Sequence, residues 1–441
     1  MMDLKINPTP SLNGEITAPS SKSYSHRAFI AASFGDGVSI IKNPLTSGDV
    51  AVTIEILKTL GVNIFRESGN SYIVKKGKDF LKPVHEIIDC KNSGTSLRLF
   101  SALSLLIEGG LSFTGEFLKR ERPIVPLLDA LKNLGAEYKF KDKILMIKRG
   151  SDICNEIKIR GDISSQFITA LLFLCSLIEC KDKNLIEIDI NTPLTSYPYI
   201  EITKDLLKSF GVSLYEKLDE EKKGKYLVTC AQNYRPQSYQ VPGDFSSAAF
   251  MIAASVLSPE DSHVVINNLD MTNPQGDKRI VEILKDMGAN IEINNTLNQI
   301  KILGNLNKYV LEGFEIDCHE IPDLFPILSV VGAFAKGKTT LYNAGNLRLK
   351  ESDRISIMAR ELNKMGVKIE EKQEELTIYP CREFSETTIN HENDHRILMA
   401  CCIAGLYTNR IHIIRDYEIV NDSYPTFFGD LLKMGAKIDI Q

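Results

Sequence analysis

The chain has 441 residues, 43% of them hydrophobic and 25% charged, with a formal net charge of −5. That length exceeds what one hydrophobic core ordinarily organises, so two domains are expected in a globular protein of ordinary composition. The negative balance speaks against a nucleic-acid partner, which favours a basic surface, and nine scattered cysteines without a C-x-x-C pair read as reduced thiols.

In chain order, the opening Met-Met-Asp-Leu-Lys-Ile-Asn-Pro lacks the apolar core of a secretion signal, and Leu4–Ile6 reads as an isolated strand. The polar run Ser21–Arg27 (SKSYSHR) opens a first helix. The strand Val38–Ile41 follows, then an amphipathic helix ending at Gly61 as a helix C-cap should, and a strand pair, Val62–Phe65 with Tyr72–Lys75. The order then returns. Asn92–Arg98 (NSGTSLR) opens a helix, a second helix ends at Gly135, and Glu137–Phe140 pairs with Ile144–Lys148. Ser164-Ser165-Gln166 opens the apolar stretch Phe167–Ile178, which is too short to span a bilayer. The strands Leu185–Ile190, Val264–Ile266 and Ile411–Ile414 continue the pattern, and Lys437–Ile440 is the last strand before Gln441. A soluble, cytoplasmic protein without a membrane partner is the expectation.

The six closing glycines are Gly61, Gly135, Gly211, Gly288, Gly366 and Gly435, spaced 74, 76, 77, 78 and 69 residues apart. Leu57, Leu131, Leu207, Leu284, Leu362 and Leu431 each stand four residues before them. A regular period marks one supersecondary unit used repeatedly. The unit is βαβαββ-like, so the fold class is α/β (α+β), two domains of three units each. The sixth copy lacks its last strand, and the N-terminal segment is the piece left to supply it. The expected domains are therefore 21–239, and 1–20 with 240–441, joined by two chain crossings that would hinge a ligand cleft.

Two motifs match in letters and fail in context. Gly332–Thr339 fits the phosphate-loop pattern G-x-x-x-x-G-K-T, but a helix precedes it and the strand Thr339–Tyr342 follows, the reverse of a phosphate loop. His391–His395 fits H-E-x-x-H, yet Asn393-Asp394 reads as a helix start, which leaves His391 outside the helix and denies the pair one face for a metal.

The chemistry gathers at the openings of the first helices: Ser21–Arg27, Asn92–Arg98, Ser164–Gln166, Asp244–Ser247, Ile321–Asp323 and Asn393–Arg396. Equivalent places in a repeat fall on one side of a domain, and helix N-termini favour anions. Lys22, Arg27, Arg98 and Arg396 stand at corresponding points, and Arg122, Lys350 and Arg354 lie on the connections before the second helices. So many cations in a chain of net negative charge imply small, multiply anionic ligands. Asp323 and Glu351 among them are candidate proton-transfer groups.

At these residues the sequence resembles the 5-enolpyruvylshikimate-3-phosphate synthase family over its whole length. The segments that carry the resemblance are SKSYSHR, NSGTSLR, Glu121–Ile124, Gly161–Phe167, Gly243–Ala248, Ile321–Asp323, Lys350–Arg354 (KESDR) and Asn393–Arg396 (NDHR). It implies transfer of an enolpyruvyl group from phosphoenolpyruvate to the 5-hydroxyl of shikimate 3-phosphate, in an inside-out α/β barrel fold, by a monomer needing no metal or cofactor. Lys22, Ser23, Arg27, Ser164, Ser165, Gln166, Ser196, Tyr199, Asp323, Asn346 and Lys350 would hold shikimate 3-phosphate. Lys22, Gly94, Thr95, Arg122, Gln166, Arg354 and Arg396 would hold phosphoenolpyruvate. Asp323 would take the hydroxyl proton, and Glu351 with Lys22 would protonate the methylene carbon. The two substrates bring roughly five to six negative charges, against the seven cations named above. One departure stands out: the family's lysine ahead of the Ser/Thr-aromatic-Pro segment is absent from Val420–Pro425. The rival readings are the enolpyruvyl transferase acting on UDP-N-acetylglucosamine, whose loop cysteine is missing from Gly109–Pro123, and a non-catalytic anion-binding relative.

Overall fold

The structure, a computed structural model, describes residues 3–120, 122–150, 156–181, 183–304 and 311–440. The chain divides into two compact units, Lys22–Val241 and Met1–Ser21 with Pro242–Gln441. Each holds three four-stranded sheets. The sheets are open and share one pattern, in which the first two strands run parallel and the others antiparallel. In one of them Ile87–Asp89, Leu111–Thr114, Ile144–Arg149 and Ala136–Lys141 lie side by side. The βαβαββ order is thus present in each unit.

The strands alternate buried and exposed residues, as in Val62–Arg66 and His263–Asn267, because one face of each sheet covers helices and the other meets water. The covered helices are apolar all round. Every residue of Phe245–Leu257 is buried, and in its unit that helix packs against Phe325–Phe334 and His395–Tyr407. Helices inside and sheets outside is the layering expected of an inside-out α/β arrangement. The outer amphipathic helices end at the six repeat glycines, whose φ angles run from 81° to 105°. At Gly61 a Cβ would also fall 2.5 Å from the Asp79 carbonyl carbon, so both conformation and space demand glycine there.

Three sheets are completed by segments remote in sequence. Leu4–Ile6 runs antiparallel to both His412–Ile414 and Ile438–Ile440, filling the place the sixth unit leaves vacant. Asn13–Thr17 pairs in parallel with His263–Asn267 and starts the fourth unit. Ser238–Gln240 pairs in parallel with Ser39–Lys42 and starts the first. The sequence reading assigned neither of these last two strands. Leu4 and Ile6 are fully buried, so Leu4→Ala is expected to destabilise the protein by about 2–5 kcal/mol, as large-to-small core changes do. Denaturant unfolding checks this, and an unchanged midpoint would show the N-terminal strand to be dispensable.

The glycine-lysine motif Gly332–Thr339 overlaps the end of the helix Phe325–Phe334 and leads into the strand Thr339–Tyr342, the reverse of a phosphate loop. Cys180 stands in a disulfide, which corrects the reading of reduced thiols throughout. Scattered spacing in sequence says nothing of approach in space; Cys90, Cys175, Cys230, Cys318, Cys381, Cys401 and Cys402 are free, as the reading expects, while Cys154 falls outside the described residues. Among the described residues no helix is long and apolar enough to cross a membrane.

Candidate active site

In the unit Lys22–Val241, the starts of Lys22–Ser33, Gly94–Leu103 and Ser165–Leu177 carry the predicted residues. The second and third are capped by Ser93 on Ser96 N and Ser164 on Gln166 N, as the polar runs foretell. Lys22 Nζ lies 2.7 Å from Asp49 Oδ2, both side chains 15% exposed. Asp49 heads the neighbouring helix and was not singled out in the sequence. Arg27 is buried and commits four of its five N–H groups inside the unit: Nε on Thr203 Oγ1 at 2.8 Å, Nη1 on the Ser23 carbonyl at 2.8 Å, Nη2 on Thr169 Oγ1 and the Tyr199 carbonyl. Burial draws its guanidinium down to about 10, still charged at neutral pH. Tyr199 N in turn donates to the carbonyl of Ser196, whose φ is +53°. Ser23, Arg27, Ser196 and Tyr199 are thus one connected group.

A second group forms around Gln166. Its Oε1 accepts from Arg98 Nη1 at 2.7 Å and its Nε2 donates to Thr95 Oγ1 at 3.0 Å. Arg98 lies between the rings of Phe117 and Phe167, 5.0 and 5.2 Å from their centroids, and both Nε and Nη2 donate to the Pro123 carbonyl. Arg122 lies 4.7 Å from the same Phe117 ring. A Cβ on Gly94 would fall 2.6 Å from Phe117 and 3.5 Å from Arg122 Nη1, so only glycine lets ring and guanidinium close on this helix start. Gly94, Thr95, Arg122, Ser164 and Gln166 therefore converge. Beneath them, buried hydroxyls tie the helices together: His26 Nδ1 contacts Thr53 Oγ1 at 2.7 Å, which contacts Ser96 Oγ at 2.9 Å. Burial first, then Lys22 and Arg27, keep His26 well below its ordinary pKa and hence neutral.

In the other unit, Arg354 is the hub. Nε meets Asp394 Oδ2 at 2.8 Å, Nη1 meets Asp323 Oδ1 at 2.7 Å and Nη2 meets Glu351 Oε2 at 2.7 Å, with the arginine side chain 1% exposed. Arg396 Nη2 reaches the second oxygen of Asp323 at 3.1 Å. Burial alone would raise the Asp323 carboxyl, but Arg396, Lys350 and Arg354 outweigh it and hold it well below the carboxylate range. Asp394 is lowered in the same way, burial opposed chiefly by Arg354, and it also caps the helix His395–Tyr407 on Arg396 N. The predicted Asp323, Glu351, Lys350, Arg354 and Arg396 are thus brought together, and Asn346 lies on the short helix Gly345–Leu349 that leads into Lys350. His391 stays outside its helix, its Nε2 2.8 Å from the Arg415 carbonyl, so the two histidines of His391–His395 share no helix face. Val420–Pro425, which lacks the family's lysine, packs by the Ser423 carbonyl on Ser247 Oγ at 3.3 Å.

Solved enolpyruvyl transferases share this fold. A solved EPSP synthase from Acinetobacter baumannii matches with a TM-score of 0.80 at 25% identity, covering all of both chains. The enolpyruvyl transferase NikO from Streptomyces tendae matches with a TM-score of 0.78 at 16% identity, covering 100% of this chain and 99% of that one, a likeness of fold. The profile of the family described as EPSP synthase (3-phosphoshikimate 1-carboxyvinyltransferase) matches residues 6–431. Relatives named 3-phosphoshikimate 1-carboxyvinyltransferase include those of Methanococcus vannielii, 41% identical over 99% of this chain and 100% of the relative, and Methanocaldococcus jannaschii, 42% identical over 99% of each. The chain belongs to the EPSP synthase family and is a transferase of the shikimate pathway.

Proposed function

We propose that this protein transfers the enolpyruvyl group of phosphoenolpyruvate to the 5-hydroxyl of shikimate 3-phosphate, with the residue roles the sequence suggests. The observation that carries the reading is the meeting of Asp323, Glu351 and Arg396 around the buried Arg354, two carboxylates with two cations where a hydroxyl must lose a proton and a carbon must gain one. Lys22, Ser23, Arg27, Ser164, Ser165, Gln166, Ser196, Tyr199, Asn346 and Lys350 hold shikimate 3-phosphate. Lys22, Gly94, Thr95, Arg122, Gln166, Arg354 and Arg396 hold phosphoenolpyruvate. Gln166 is preset for this by Arg98 and Thr95.

Asp323 accepts the 5-hydroxyl proton as the oxygen bonds to C2 of phosphoenolpyruvate, and Glu351 with Lys22 delivers a proton to the methylene carbon. Loss of that carbon's proton and departure of phosphate then restore the double bond. An ionised Asp323 held low is a weak base while its cations serve it alone. Substrate phosphate and carboxylate groups on Arg396, Lys350 and Arg354 draw that charge away, and the Asp323 carboxyl rises when substrate arrives. The fixed cations meet the charge on the leaving phosphate, an electrostatic task suited to preorganised groups.

The test is a phosphate-release assay. Release is expected only with shikimate 3-phosphate and phosphoenolpyruvate together. Release with UDP-N-acetylglucosamine in place of shikimate 3-phosphate would overturn the assignment.

A further inference from the structure

We propose that Asp277 is a positioning residue that sets the guanidinium of Arg396 for the phosphate of phosphoenolpyruvate, acting through Ser246. The segment Gln275–Asp277 cradles the start of the helix Phe245–Leu257. Gln275 Oε1 accepts from Phe245 N at 3.0 Å while its Nε2 donates to the Gly243 carbonyl at 2.7 Å. Asp277 accepts the hydroxyl hydrogen bond of Ser246. Ser246 N is capped by Asp244 at 3.1 Å, and the Ser246 carbonyl accepts from Arg396 Nη1 at 3.3 Å. The other arm of that guanidinium rests on Asp323. Asp277 therefore fixes one side of Arg396 and Asp323 the other, and both Asp277 and Gln275 are only 4% exposed.

A buried carboxylate among carboxylates is costly unless it is paired and hydrogen-bonded, or takes up a proton. Burial, then Asp323 against the opposing pull of Arg396, push the Asp277 carboxyl up to about 7, with Asp244 adding to the rise. A neutral amide at position 277 thus copies much of what Asp277 offers Ser246 at neutral pH.

The inference rests on the proposed role of Arg396, so both residues are varied and kcat and KM are read for each substrate. Asp277→Ala is expected to raise the KM for phosphoenolpyruvate about tenfold, the worth of one misplaced charged hydrogen bond, and to leave that for shikimate 3-phosphate within about twofold. Asp277→Asn should restore it. Combined with Arg396→Lys, Asp277→Ala should add almost nothing, since both changes act on one contact. Should Asp277→Ala fail to fold, Ser246→Ala removes the same hydrogen bond from the other side. A fall in kcat with KM for phosphoenolpyruvate unchanged, no restoration by asparagine, or effects that multiply in the double variant would each overturn the proposal. An Arg396→Lys variant with an unchanged KM for phosphoenolpyruvate would instead remove the role of Arg396 itself, and this inference with it.

Discussion

Asp323→Ala is expected to cut turnover at least about a hundredfold, the usual yield of a positioned proton-transfer group. The structure adds a control, because Asp323 also orients Arg354 and Arg396 through its two oxygens. Asp323→Asn keeps the shape and one accepting oxygen but cannot take a proton. If proton transfer is its task, asparagine is as poor as alanine and kcat falls in both. If Asp323 merely positions cations, asparagine recovers most of the rate and the alanine defect appears in the KM for phosphoenolpyruvate. Normal turnover in both variants would remove Asp323 from the mechanism.

Arg354→Met should destabilise the protein by about 3–5 kcal/mol, the cost of stripping the cation from a buried ion cluster. Three carboxylates, Asp323, Glu351 and Asp394, pair with that one guanidinium. The pH dependence carries the sign of the effect. In the native protein the Asp323 and Asp394 carboxyls lie below their unfolded values. Their contribution is therefore fully present above the ordinary carboxylate range, about pH 4, and is lost as pH falls through the folded values. With Arg354 gone, burial at Asp394 loses its chief opponent and that carboxyl rises above its unfolded value, while Arg396 and Lys350 still hold the Asp323 carboxyl down. The variant should then gain more stability from pH 7 to about pH 5 than the native protein, in which only the raised Asp277 carboxyl, common to both, adds to stability over that range. Unfolding by denaturant across that range reads the difference. Equal slopes in the two proteins would show that the cluster is not held by Arg354.

Much of the site was legible because repetition fixes position. Ser93, Ser164, Asp244 and Asp394 were readable as helix starts from local sequence, and each caps its helix. With them came the places of Gly94, Thr95, Gln166 and Arg396. Local patterning also dismissed the two deceptive motifs, since helix before Gly337 and strand after it follow from hydrophobic period alone. Asp49, Gln275 and Asp277 gave no such signal. Each is an unremarkable polar residue in its own segment, and only its neighbours in space make it part of the site.

The unit, its six copies, the glycine that ends each outer helix and the polar openings where chemistry gathers are all local in origin, because they depend on residues within a few turns of one another. That Asn13–Thr17 and Ser238–Gln240 are strands, and which sheets they begin, emerges from long-range pairing in the folded chain. Strand pairing runs through backbone groups common to every residue, so a three- or five-residue partner some 200 residues away leaves little mark in the side chains. The same holds for charge. That three carboxylates share Arg354 while Lys22 faces Asp49 is set by separations of a few ångströms, over which Coulomb energies and hydrogen-bond geometry are decided, and spacing along the chain does not encode them.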